Sequence, residues 1–120
     1  MNCYLDIETT GLDPLQSKII TIQYMQLERN TAMPVGPLKI LKEWEFDEKT
    51  ILKKFMEVFR PGNDWAFVPI GFNLDFEHRF FWWRCKAWGI EPIRDFETAR
   101  GIIMVLGKWG EKDVQSETGY

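Results

Sequence analysis

The hydrophobic period changes from that of strands to that of a helix at Asp47, and that change restricts what this chain can fold into. Before it, three segments read as strands. Tyr4 to Glu8 alternates and ends in a Thr9-Thr10-Gly11 turn, Ile19 to Met25 is rich in β-branched and aromatic residues, and Leu38 to Trp44 alternates again. Asp13-Pro14 marks a turn in the first link, and Asn30, Pro34, Gly36 and Pro37 make the second a surface connection. Such short links predict an antiparallel meander. After Asp47 the apolar residues Ile51, Leu52, Phe55, Met56 and Phe59 recur at helical spacing, with Asp47 as N-cap and Pro61-Gly62 as the stop. Trp65 to Ile70 suits a buried strand, with a strand end expected at Pro69. Gly71-Phe72-Asn73 is the exit turn, and Leu74 to Trp88 is a helix closed by Gly89. Ile93 to Phe96 reads as a short fifth strand, Glu97 to Leu106 as a third helix, and Gly107 to Tyr120 as a polar loop or tail. Three strands, then helix and strand in alternation, predict a mixed α/β sheet with helices packed on it.

The 120 residues suffice for one core, and six tryptophans with nine phenylalanines argue for a globular chain. A net charge of −3 supplies no basic field for bulk nucleic-acid binding, so a polyanion must be held locally. Two cysteines, Cys3 and Cys85, form no framework and lack metal-type spacing, which fits a reducing compartment. No apolar run reaches membrane-spanning length, and the N-terminus shows no secretory pattern. The expectation is a soluble, cytoplasmic domain without a membrane partner.

Two groups of acids carry the chemistry. Asp6 and Glu8 point to one side of the first strand, and Leu5 and Ile7 point to the other. Close carboxylates raise one another's pKa unless a positive group lies between them, and hard divalent cations prefer such oxygens. The bland alternative is that one acid caps the following turn and the other is solvated. The second group begins at a strand end, Gly71-Phe72-Asn73, where open α/β sheets place their sites. On the helix that follows, Glu77 shares a face with Phe80, Phe81, Cys85 and Trp88 and should look inward. Asp75 lies on a mixed face and is favoured in the first turn by the macrodipole alone. An inward acid needs a partner, so Glu77 is preferred to Asp75 as the functional carboxylate.

Asp6-Ile7-Glu8-Thr9-Thr10-Gly11 resembles the first motif of the DEDD-type 3′–5′ exonucleases, the group that includes polymerase proofreading domains and ribonuclease T. Gly71-Phe72-Asn73 through Phe76-Glu77 resembles their second motif, usually Asn followed four residues later by Asp. Asp95-Phe96-Glu97-Thr98-Ala99-Arg100 resembles the segment after it. The resemblance implies a ribonuclease H-like mixed sheet, an antiparallel three-strand meander plus parallel strands with flanking helices, over an exonuclease-like domain at residues 1–106. It implies hydrolysis of phosphodiester bonds at nucleic-acid 3′ ends, single-stranded ends first, by a two-metal mechanism with Mg2+ or Mn2+. Asp6, Glu8 and Glu77 would be the catalytic and metal-holding residues, and Thr9, Thr10, Gly11, Leu12 and Asn73 would line the seat of the terminal nucleotide.

Two departures qualify the match. Glu77 stands where the family has Asp, which lengthens the arm by one methylene; a displacement of about 1 Å can cost about 100-fold in rate. The family's third motif, an acid preceded by His or Tyr, is not matched before Tyr120: Asp113 has the wrong neighbours, with Lys108 and Trp109 where the base would be sought. The sole histidine, His78, reads as a surface or packed residue. These departures lead to the expectation of a fold truncated at its C-terminal side. They leave a non-catalytic module that keeps the fold and binds nucleic acid or a protein as the alternative. Arg79, Arg84, Lys86, Arg94, Arg100 and Lys108 read first as a solvated basic face, with phosphate guidance as the functional alternative. The aromatics Phe80, Phe81, Trp82, Trp83 and Trp88 read mainly as core, with base stacking as their functional alternative. A helix so aromatic on nearly every side calls for a covering surface, either a second copy or another subunit.

Overall fold

The alternation read along the first 44 residues becomes a three-stranded antiparallel meander in the computed structural model, which describes residues 2–58, 68–71 and 73–92. Strand β1 (Asn2–Thr9) pairs with β2 (Ile19–Leu27), and β2 pairs with β3 (Lys39–Lys42). Helix α1 (Glu48–Val58) then leads toward β4 (Val68–Ile70), which lies parallel to β1, and α2 (Leu74–Ala87) follows. The sheet order is β3-β2-β1-β4. The chain therefore forms the expected mixed α/β sheet of antiparallel and parallel strands with helices packed on it.

One face of β1 builds the core. Cys3, Leu5 and Ile7 are buried with Ile19, Ile22 and Tyr24 of β2, Ile51, Leu52 and Phe55 of α1, and Leu74, Phe80, Phe81 and Cys85 of α2. Phe55 stacks on Phe81 with ring centroids 4.9 Å apart and planes at 12°. That contact locks the two helices to each other across the same sheet face. Ile19 and Ile22 are three residues apart, yet both are core, which strict alternation forbids. The register shifts between Glu8 and Thr9, where Thr21 and Ile19 are the successive partners, so Ile20 is the extra residue of a bulge. The bulge resets the phase of β2 beside Glu8.

Several boundaries move. β2 runs two residues past the expected end. β3 is shorter than Leu38–Trp44, because the amides of Glu45 and Phe46 bond back to Lys42 and Glu43 and turn the chain. Asp47 caps α1 as expected, its Oδ1 accepting the Thr50 N–H at 2.7 Å. β4 continues one residue past Pro69, and its place at the edge of the described sheet tolerates the missing donor. Gly89, at φ +71°, closes α2 as expected. The helix stop at Pro61-Gly62, the fifth strand, the third helix and the tail lie outside the described residues. No helix among the described residues is long and apolar enough to cross a membrane.

Candidate active site at the end of strand β1

β4 stops short of its neighbour. Its last residue, Ile70, is level with Tyr4, and β1 continues to Thr9, so Asp6 and Glu8 project beyond the parallel pairing. The chain leaves β4 along this overhang. Gly71 passes so close to β1 that a Cβ there would lie 2.9 Å from the Leu5 carbonyl oxygen. Only glycine admits this approach, which brings Asn73 and the start of α2 beside the acid-bearing end of β1.

Asp6 is half-buried on the face opposite Leu5 and Ile7, and Glu8 is exposed. Burial raises the Asp6 pKa, the negative charge of Glu8 raises it further, and the Ile7 amide offsets part of the rise. The pair is thus electrostatically burdened as its spacing predicts. The loop after β1 holds itself closed. Thr9 Oγ1 donates to the Gly11 carbonyl at 2.7 Å, and Thr10 Oγ1 accepts the Lys18 N–H at 2.9 Å. A Cβ on Gly11 would fall on Ser17 Oγ. Leu12, by contrast, is 80% exposed.

On α2 the expected split between the two acids is present: Glu77 is 4% exposed, alongside buried Phe80, Phe81 and Cys85, and Asp75 is exposed. Asn73 occupies the N-cap position of α2 but its side chain makes no capping bond, and its Oδ1 is buried without a hydrogen-bond partner. An unsatisfied buried acceptor costs about 1–3 kcal/mol, so Asn73 is not there to cap the helix. His78 is half-buried, its ring 6.2 Å from that of Trp82.

A family model described as the RNase H superfamily matches residues 3–87, all but the first residue of the six described elements. The chain belongs to the RNase H superfamily. A comparison with curated proteins finds no match. Membership points to nuclease-type activity and nucleic-acid binding in general, and RNase H-like nucleases generally use divalent metals. The donor chemistry of Asp6 and Glu8 suits such an ion: two hard oxygen donors on one strand face, with a mutual repulsion that a cation would relieve. Among the described residues, however, no three His, Cys, Asp or Glu side chains gather closely enough to hold a metal. The structure brings Asp6 and Glu8 together and does not bring Glu77 into a three-carboxylate group with them.

Sequence reasoning missed Glu48. It is 3% exposed at the start of α1, and its carboxylate accepts four N–H groups: Ile19 N at 2.7 Å, Arg84 Nε at 2.9 Å, Arg84 Nη2, and Trp88 Nε1 at 2.8 Å. Burial pushes its pKa up, but Arg84, Trp88 and the Ile19 amide outweigh burial and hold it below the usual carboxylate value. Arg84 is therefore not part of a solvated basic face; it is committed to this RNase H-like core, and its Nη1 also reaches the Pro14 carbonyl at 3.5 Å. Phe80 and Phe81 are core as expected, whereas Trp83 and Trp88 are each 42% exposed. Lys86 lies over the Trp82 ring at 4.6 Å. Arg94, Arg100 and Lys108 lie outside the described residues, as does the segment from Asp95 to Arg100.

Proposed function

We propose that this chain is a 3′–5′ exonuclease-type domain that hydrolyses phosphodiester bonds at single-stranded nucleic-acid ends with Mg2+ or Mn2+. The observation that carries the reading is the carboxylate pair Asp6 and Glu8 on the overhang of β1, where the strand outruns its parallel neighbour and meets the start of α2. Asp6 and Glu8 would hold the divalent ions, with Glu77 as the third acid. Bound there, the ions would lower the pKa of a water and stabilise charge on the leaving oxygen. The chain's own residues orient the substrate: Leu12 offers an apolar face to the terminal base, Thr9, Thr10 and Gly11 hold the rigid turn that presents it, and Asn73 Oδ1 is an acceptor for a sugar hydroxyl.

The shortage of a third gathered acid among the described residues favours a second reading, a module that keeps the fold and binds nucleic acid or a protein without cutting it. A 5′-labelled single-stranded oligonucleotide, incubated with Mg2+ or Mn2+, separates the two. The exonuclease reading expects a ladder of products shortened from the 3′ end, lost with EDTA and in Asp6→Ala. Equal shortening by Asp6→Ala would remove the assigned site. Retention of the oligonucleotide without any shortening by the wild type would establish the binding module.

A further inference from the structure

β3 pairs with β2 along one edge and, among the described residues, has no strand along the other. We propose that this open edge pairs with β3 of a second copy of the chain, antiparallel and about a two-fold axis at Leu41, so that the two sheets join into one.

Three observations carry the inference. The first is which backbone groups the edge leaves over. The Glu43 N–H bonds the Ile20 carbonyl at 2.8 Å, and in an antiparallel ladder alternate residues turn to the same neighbour, so Lys39 and Leu41 face β2 as well. Ile40 and Lys42 therefore turn their N–H and C=O groups outward. A two-fold axis at Leu41 sets Ile40 opposite the second copy's Lys42, and each of the two equivalent pairs closes a pair of backbone hydrogen bonds. The second is where the lysines point. Lysine on an edge strand ordinarily keeps strands apart by placing a charge where a neighbour would lie. Here Lys39 Nζ is drawn back over the Tyr24 ring, 5.9 Å from its centroid, and Lys42 Nζ lies 3.6 Å from Glu45. Both charges are thus turned toward the chain that carries them. The third is that the edge is complementary to itself. In the same register Lys39 stands opposite the second copy's Glu43, Leu41 stands opposite its counterpart, and Leu38 comes toward Trp44; no two like charges stand directly opposite. Leu38, Ile40 and Trp44 are 47%, 40% and 65% exposed, which is apolar surface for the pairing to cover. A two-fold axis at Ile40 would instead set Lys39 against Leu41 and Lys42 against Leu38, so the charge match selects Leu41. Asp6 lies two strands in from this edge, in one row with Gln23 and Ile40, and the joined sheets leave the acid pair open.

The test uses the full chain and two charge reversals, Lys39→Glu and Glu43→Lys, with far-UV circular dichroism as the folding control. Mass is read by sedimentation equilibrium across about 1–200 μM, the range in which a contact this small should assemble. The wild type should rise with concentration from the 14.3 kDa of one chain toward twice that mass. Each reversal sets like charges opposite one another on both sides of the axis and should weaken association at least about 10-fold. Mixing the two variants restores opposite charges on both sides, so a mixed pair should form with close to the wild-type affinity. A wild type that stays at the mass of one chain throughout the range would overturn the proposal. Association that both reversals leave intact would place the contact elsewhere and overturn it too. Loss in each variant without recovery on mixing would remove the register, and with it the proposal. Because Glu43 also pairs with Lys18, Ile40→Lys serves as a second disruptor that breaks no ion pair and sets a lysine opposite the second copy's Lys42. It should lower association about as much as Lys39→Glu does, and wild-type association by the folded variant would equally overturn the proposal.

Discussion

Glu48→Gln is a near-isosteric change whose cost can be worked from the donors around it. Each carboxylate oxygen accepts two bonds: Oε2 from Ile19 N and Arg84 Nε, and Oε1 from Arg84 Nη2 and Trp88 Nε1. An amide keeps one acceptor oxygen and replaces the other with an NH2 group, so two of the four donors must face a donor in either orientation. The cheaper orientation keeps the Ile19 bond and turns the NH2 toward Arg84 Nη2 and Trp88 Nε1, because both side chains have some access to water. Arg84's side chain is only 17% exposed, however, so its charge is left in a poorly hydrated site. Hydrogen bonds to charged groups contribute about 1.5–3 kcal/mol each, and breaking a buried pair from one side costs about 3–5 kcal/mol. With partial rehydration the expected loss is about 2–4 kcal/mol, or about 10–20 °C in Tm for a domain of this size. Urea denaturation at pH 7 measures it. The pH dependence has a fixed sign. The folded pKa of Glu48 lies below its unfolded value, so the contribution is complete above the ordinary Glu value of ~4.3 and disappears as pH falls through the folded pKa. Wild type and Glu48→Gln should therefore converge in stability in acid. A cycle with Arg84→Met should show a coupling of at least about 1 kcal/mol. A loss below about 1 kcal/mol at pH 7, with no convergence in acid, would mean that the pair is hydrated like an ordinary surface ion pair and would refute the reasoning.

Asp6→Asn should act in the opposite direction. Burial and the Glu8 charge raise the folded pKa of Asp6, so what folding gains from protonated Asp6 is lost as pH rises through that value, and the ionised group opposes folding at pH 7. Discounted for its partial exposure, the variant should gain about 0.5–1 kcal/mol in denaturation at pH 7, while Mg2+ should stabilise the wild type more than the variant; destabilisation by Asp6→Asn would contradict this account. Gly71→Ala should cost about 1–3 kcal/mol, because the new methyl meets the Leu5 carbonyl oxygen and Leu74 Cδ2, and a backbone oxygen in a paired strand cannot withdraw. A neutral result would show that the exit from β4 is looser than the structure has it.

The elements that could be read from the residues are those whose signals are local. The alternation of Cys3, Leu5 and Ile7, the stripe of Ile51, Leu52 and Phe55, the Asp47 cap and the Gly89 stop each lie within a few residues of what they specify. Periodicity also separated inward Glu77 from exposed Asp75, because that distinction is a matter of angle around one helix axis. What escaped is tertiary. Glu48 and Arg84 are 36 positions apart, and each has an ordinary local excuse, the first turn of a helix for one and a run of basic residues for the other. Nothing near Ile20 announces the bulge, which is visible only once Glu8 and Thr9 are paired with their partners. Trp88 falls on the inward face by its angle, but it is the C-cap residue just past α2 and stays 42% exposed, with its indole nitrogen donating to Glu48.

The same distinction between local and tertiary signals applies to the acids. Asp6 and Glu8 share one strand, so the two-residue period alone places them on one face. Whether Glu77 can join them depends on how far α2 is carried along β1 before it begins, and that is set by Ile70 ending level with Tyr4 and by Gly71 lying against Leu5. These contacts put the start of α2 at the acid-bearing end of β1, with Glu77 buried in its first turn. Asn73 is one side chain with an unmet demand at this junction, its buried Oδ1 having no hydrogen-bond partner. The junction of β1, Gly71 and Asn73 is thus the place where a bound ligand would satisfy most of what the fold leaves unsatisfied.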